Sequence, residues 1–222
     1  MITAEYKTFF TELEENNNRE WFHLHKNDYE KYVKEPFFQL LQELIPEVEE
    51  FEPGIPTNPR DSLFRINRDL RFTKDKTPYN TLMKAGFAMG GKKSILPAYY
   101  LGISADTIHV GGGMLNIDTQ SLKRIRRLIA EESEEFLAII DLPSFRDKFK
   151  EIKGEKAKRL GKAFQSKVEK VPTIANKQFY VMADLPLVNY LNSNHLSNII
   201  IDHFKEVIPL NNFLKKAFVK YS

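Results

Sequence analysis

Apolar positions in the first fifty residues recur at helical spacing. Phe9, Phe10 and Leu13 fall on one face after Thr3, which is placed as the cap of a first helix stopping at Asn16-Asn17-Asn18. Asn18 then caps a second helix that opens on Arg19-Glu20-Trp21-Phe22. Along it Trp21, His25, Tyr29 and Tyr32 share a face. Pro36 is expected to start a further helix, with Phe37, Leu40, Leu41, Leu44 and Ile45 as its inward stripe.

The period then changes. Pro53-Gly54-Ile55-Pro56 and Asn58-Pro59 mark a loop, after which Phe64, Ile66, Leu70 and Phe72 alternate and predict a strand over Phe64–Phe72. Arg65, Asn67, Asp69 and Arg71 would share its other face, with Arg68 interrupting the apolar side. Further strands are predicted over Ala85–Met89, Ala98–Ser104 and Thr107–Gly111, turning at Gly90-Gly91 and Ser104-Ala105-Asp106. No interval between them accommodates a crossover helix, so they form an antiparallel meander. Asp118 or Thr119 caps a helix running toward Asp141. The last third reads as helices with one strand, Gln178–Ala183. N-terminal helices, a central antiparallel meander and C-terminal helices define an α+β fold, and 222 residues without a repeat or linker read as a single domain.

Composition adds an aromatic core: 17 Phe and 9 Tyr in a chain that is 42% apolar and 28% charged. With no cysteine there are no disulfides, thiolate metal sites or cysteine nucleophile, and a reducing compartment suits the chain. The N-terminus lacks a signal pattern and no apolar run approaches ~18 residues, so a cytoplasmic protein with no membrane partner is expected.

Charge is unevenly distributed. From Arg60 to Tyr79 six cations face three aspartates, a local +3 that equals the net charge of the whole chain. Residues 148–170 carry nine Lys or Arg against three Glu and read as a solvated helical face, whereas Glu43–Glu52 holds five glutamates and no cation.

The cationic segment is the candidate site. Arg65, Arg68 and Arg71 can fork onto phosphate or carboxylate, Lys74 and Lys76 add charge, and Asp75 and Tyr79 are expected to line the same ligand site. Asp69 and Asp75 can orient the arginines, hold Mg²⁺ or, in the case of Asp69, act as general base. Arg19, Trp21 and His25 form a second candidate wall, with His25 able to move protons near neutral pH. Alternatively, Trp21 is core and the arginines pair internally with the protein's own acids. His109 with Tyr99 or Tyr100 would project from neighbouring strands, lining the same cleft or filling the sheet. Gly111-Gly112-Gly113 lacks the Lys-Ser/Thr of a phosphate loop and the spacing of a dinucleotide fingerprint. A bulge or close backbone packing is the expected use. Scattered histidines supply no zinc set.

Several of these stretches together resemble a widespread microbial domain-of-unknown-function family. They are Phe64-Arg-Ile-Asn-Arg-Asp-Leu-Arg-Phe-Thr-Lys-Asp-Lys-Thr-Pro-Tyr79, Asn17–Phe22 with His25-Lys26 and Tyr29, Tyr99-Tyr100-Leu101 and Gly111–Met114. The resemblance spans roughly residues 5–140. Farther on, Lys162–Lys167 stands where the family has a Pro-Lys-Gly-like segment after a basic helix. The family carries no established activity, so the resemblance implies a fold and a site location and adds no substrate.

Three functions fit these residues. The first is binding of a small phosphate- or carboxylate-bearing ligand, by an enzyme or by a pure binder. The second is nucleic-acid binding, which requires the basic tract to share a face with the arginines. The third is a structural module whose arginines are internally paired.

Overall fold

Alternation of buried and outward residues sets the centre of the molecule. In the computed structural model, which describes residues 1–71 and 73–221, four strands form one antiparallel sheet in the order β1-β2-β3-β4. They are β1 (Leu82–Phe87), β2 (Ala98–Ser104), β3 (Thr107–Met114) and β4 (Phe179–Pro186). Met83, Phe87, Tyr99, Leu101, Ile108, Val110, Phe179 and Val181 point to the core face and are buried. Lys84, Tyr100, His109 and Asp184 belong to the other face, which is partly open to solvent.

Helices flank this sheet at both ends of the chain, which makes the fold α+β. At the N-terminus are α1 (Ala4–Glu15), α2 (Arg19–Leu24) and α3 (Glu35–Phe51); after the third strand come α4 (Thr119–Glu131), α5 (Ser133–Ile140), α6 (Pro143–Phe149) and, last, α7 (Leu196–Lys220). The long α7 lies on β2 and β3 and packs against α3 and α4. Buried apolar residues from Ile2 to Ala217 form one continuous cluster. Beneath it the Glu52 carboxylate at the end of α3, only 1% exposed, pairs with the Lys215 ammonium of α7. Among the described residues no helix is long and apolar enough to cross a membrane.

Most predicted elements appear near their expected bounds, and the differences have physical causes. Pro36 stands in the first turn of α3 as expected, but the chain ahead of it is already helical. A turn at Lys26–Asp28 runs into a π-helical stretch, Tyr29–Lys34, that continues directly into α3. Proline cannot donate to the carbonyl four residues back, and the wider turn ahead of it absorbs that missing bond. The helix expected from Asp118 to Asp141 breaks at Glu132 into α4 and α5. The basic tract is mostly not a helix. After α6 it runs irregularly, pairs Lys153 with Tyr180 at the edge of β4, and regains only one turn at Lys162–Gln165.

The strand expected over Phe64–Phe72 is absent from Phe64 to Arg71, and Phe72 lies outside the described residues. The segment touches its neighbours at two isolated points, Leu63 with Ala85 and Asn67 with Tyr79. Beyond Ile66 the chain folds back on itself: the Arg68 amide donates to the Pro78 carbonyl at 2.9 Å and Asn80 to Ile66 at 2.8 Å. Pro78 has no N–H to continue a ladder, and the Asp75 side chain takes the Thr77 amide at 3.0 Å in a local turn. Alternation alone did not carry the signal of this closed loop.

The three glycines of β3 lie inside the strand rather than after it. A methyl group on Gly112 would come within 2.6 Å of the Ala98 carbonyl oxygen and 2.8 Å of Val207 Cγ1. Close approach of β2 and α7 therefore requires glycine there, the packing role expected for the run.

Candidate functional site

The signature loop is tied to the N-terminal helices by one side chain. Asn17 accepts from the Tyr79 amide at 3.1 Å and donates to the Tyr79 carbonyl at 3.0 Å, acting as a one-residue strand partner. The Tyr79 ring stacks on Phe22 of α2, with centroids 4.0 Å apart and planes 16° from parallel. Tyr79 is thus a buried anchor. Trp21 packs against Phe9, and the His25 ring stacks on it at 4.1 Å while Nδ1 lies 2.9 Å from the Trp21 carbonyl. These two rings form a core edge, the alternative to a catalytic wall. Arg19 is exposed at the start of α2, whose cap is the Asn18 side chain bonded to the Trp21 amide.

The three arginines separate. Arg68 turns into the loop, where its Nη1 donates to Asp75 at 2.5 Å, to the Thr77 carbonyl at 3.2 Å and to the Thr77 hydroxyl. Arg71 lies on the surface and forks onto Asp69, through Nε at 3.0 Å and Nη2 at 2.6 Å. These contacts hold both carboxyls down, to about 2 in each case. For Asp69 the cause is the Arg71 guanidinium; for Asp75 it is first the Thr77 amide and then Arg68. Lys76 reaches the Leu70 carbonyl at 2.9 Å, and the Lys74 side chain is exposed with no hydrogen bond or ion pair among the described residues. Asp69 and Asp75 are each engaged by a different arginine, and among the described residues no three His, Asp or Glu side chains gather into a metal-holding group.

Arg65 goes elsewhere. It lines a groove of about 780 Å³ between the Leu63–Asn67 segment, the helical run from Phe22 to Lys34, and the loop after β1. Lys26, Lys34, Lys92 and Lys93 line the same groove, with Glu30 as the one carboxylate among its lining residues. Lys34 is bonded to Glu30 at 2.6 Å, and Lys92 to the Arg60 and Leu63 carbonyls at 2.8 and 2.6 Å. Lys26, Arg65 and Lys93 are exposed, and their side chains make no hydrogen bond or ion pair among the described residues. The π-helical stretch supplies Tyr29, Glu30 and Lys34 to the wall, and such widened turns concentrate at functional sites.

Sequence reasoning gave no site role to Lys26, Lys34, Lys92 or Lys93. Two signals were present: Lys26, Glu30 and Lys34 repeat every four residues, and Lys92-Lys93 follows directly on Gly90-Gly91. On the open sheet face, Asp184 lies 2.7 Å from Nδ1 of His109. Tyr100, pushed up to about 12 by burial, shares that face, whereas Tyr99 points into the core. Neither tyrosine nor His109 lines the groove. The basic tract joins the sheet at β4 and the arginine segment at β1, opposite edges of the four strands.

An α+β protein with a cationic groove beside its first strand is the class these features define. Over residues 5–213 the chain matches the model of a family described as conserved hypothetical protein (DUF2461), and it belongs to that family. The match runs through the last third, beyond the stretch in which the signature motifs lie. No curated protein matches the chain.

Proposed function

We propose that this chain, acting in the cytoplasm as a single α+β domain, binds a small phosphate- or carboxylate-bearing ligand in the groove lined by Lys26, Arg65 and Lys93. One observation carries the reading. Five cations from three separate chain segments converge on a groove of about 780 Å³ with one carboxylate among its lining residues, and the side chains of three of the five make no hydrogen bond or ion pair among the described residues, Arg65 feeling only the charge of Asp69. Bringing like charges together opposes folding unless an anion compensates them. Arg65 supplies the planar fork suited to an oxyanion, and the lysines supply mobile point charges. Arg68 and Arg71, by contrast, are engaged by aspartates and support the loop that presents Arg65.

Thermal unfolding of wild type and Arg65→Ala against phosphate, tripolyphosphate, sugar phosphates and citrate, with and without Mg²⁺, tests the reading. A ligand at a hundred times its dissociation constant stabilises by about 2.7 kcal/mol, or roughly 5–11 °C for a chain of this size. The expected result is a shift in wild type that Arg65→Ala loses while melting normally without ligand. An equal shift in both proteins, or none in wild type, removes the groove from consideration.

A further inference from the structure

Beside its cations the groove presents an apolar wall of Phe22, Tyr29, Leu63, Phe64 and Ile66. Tyr29 and Ile66 are buried, and only the two phenylalanine rings are half-exposed aromatic surface. Phe22 already has Tyr79 stacked on one face. Phe64 is held differently. Its amide donates to the Lys84 carbonyl of β1 at 2.9 Å, and the edge of its ring rests on Gly86, where a methyl group would lie 3.2 Å from Cε2. The Lys92 ammonium, anchored by the Arg60 and Leu63 carbonyls, sits 5.9 Å from the ring centroid. A bare position on the strand thus seats a fixed aromatic ring immediately next to Arg65 and among the groove's cations.

Charge sets the other half of the ligand. Five lining cations less one carboxylate leave +4, and Glu30 is already bonded to Lys34. A phosphomonoester brings roughly −2 near pH 7 and would leave half of that uncompensated. A di- or triphosphate chain comes closer to matching it. A flat heteroaromatic ring gains stacking on Phe64 that an aliphatic body does not. The groove volume lies within the roughly 300–1,000 Å³ span of small-molecule sites.

On the footing of the anion-binding reading, we infer that the ligand is a nucleoside polyphosphate, its base against Phe64 and its phosphates among Lys26, Arg65 and Lys93. Calorimetric titration of the intact protein with tripolyphosphate, adenosine triphosphate and uridine triphosphate at fixed ionic strength tests this. Stacking of one base contributes about 1–3 kcal/mol, so a nucleotide should bind about 5- to 150-fold tighter than bare tripolyphosphate. Phe64→Leu should erase that margin and leave tripolyphosphate affinity unchanged. Gly86→Ala, which keeps the ring but displaces it, should act in the same direction and serves as the readout if Phe64→Leu fails to fold. If both nucleotides and tripolyphosphate bind equally, the nucleoside is wrong and the anion site stands. A margin that survives both substitutions also overturns the inference. Binding of none of the three removes the anion site together with it.

Discussion

Asn17 is the most economical test of how the signature loop is held. Its side chain makes both backbone hydrogen bonds of Tyr79, at 3.1 and 3.0 Å, across 62 positions of chain. Tyr79 is 9% exposed, so water does not readily replace these bonds. An ordinary internal hydrogen bond contributes about 0.5–1.5 kcal/mol net, which puts Asn17→Ala at roughly 1–3 kcal/mol. At about 2–4 °C per kcal/mol for a chain of this length, the midpoint falls by about 2–12 °C. Asn17→Asp should do no better. It keeps the acceptor for the Tyr79 amide but sets a carboxylate oxygen against the Tyr79 carbonyl in place of the N–H donor.

Two assays read the effect. Thermal or urea unfolding gives the stability loss, and hydrogen exchange at the Tyr79 amide gives its location, since that amide should lose protection ahead of the sheet. The Phe22–Tyr79 stack also joins the loop to the helix that lines the groove, so ligand-induced stabilisation should shrink along with it. If Asn17→Ala melts within a degree of wild type with the Tyr79 amide still protected, Asn17 is not what ties the loop down, and the two hydrogen bonds do not hold it to the helices.

Three further outcomes follow from the same structure. Lys215→Met strands the Glu52 carboxylate, 1% exposed, without its cation, and should cost about 3–5 kcal/mol in urea unfolding, most of it recovered by adding Glu52→Gln. Asp69 and Asp75 titrate at about 2 in the folded chain against 3.8 for a free side chain, so their contribution is present above about pH 4 and is lost as pH falls from 3.8 through 2. Asp75→Asn should therefore be less stable at about pH 6 and flatten the acid limb of a stability–pH curve, where an unchanged limb would contradict the pairing. Gly112→Ala forces a methyl into the Ala98 carbonyl and Val207, and should yield either no folded protein or a midpoint depressed by more than about 6 °C in a melt, equivalent to about 2–3 kcal/mol of overpacking.

Much of the frame was legible because one signal decided each element. Phe37, Leu40, Leu41, Leu44 and Ile45 form the buried face of α3, Asn18 caps α2 through its side chain, and Ala98–Ser104 is a strand at its predicted bounds. Phe64–Arg71 misled because its apolar residues alternate for another reason. Ile66 is buried under the loop neck while Phe64 lies on Gly86, and neither belongs to a ladder. A period of two states which side chains share a side, not whether a partner strand exists to bond the backbone. The partner here was the returning chain, cut short by Pro78 and by the Asp75–Thr77 turn. The site followed the same rule. Three arginines at a spacing of three looked like one cluster, and the fold sent one inward, one to the surface and one to the groove.

That division separates the three functions that the residues allowed. An internal network accounts for Arg68 and Arg71, whose guanidinium groups meet Asp75 and Asp69 through short bonds. It does not account for Arg65, which faces four lysines and shares its groove with a carboxylate that Lys34 already holds. Nucleic-acid binding draws its strength from many cations along one track, yet the arginine segment and the basic tract join the sheet at opposite edges. A compact anion needs only the convergence already present. The paired arginines stiffen the loop, Asn17 and Tyr79 fix it to the helices, and Arg65, which feels the Asp69 charge but makes no side-chain hydrogen bond or ion pair among the described residues, is the signature arginine that lines the groove proposed to take the ligand.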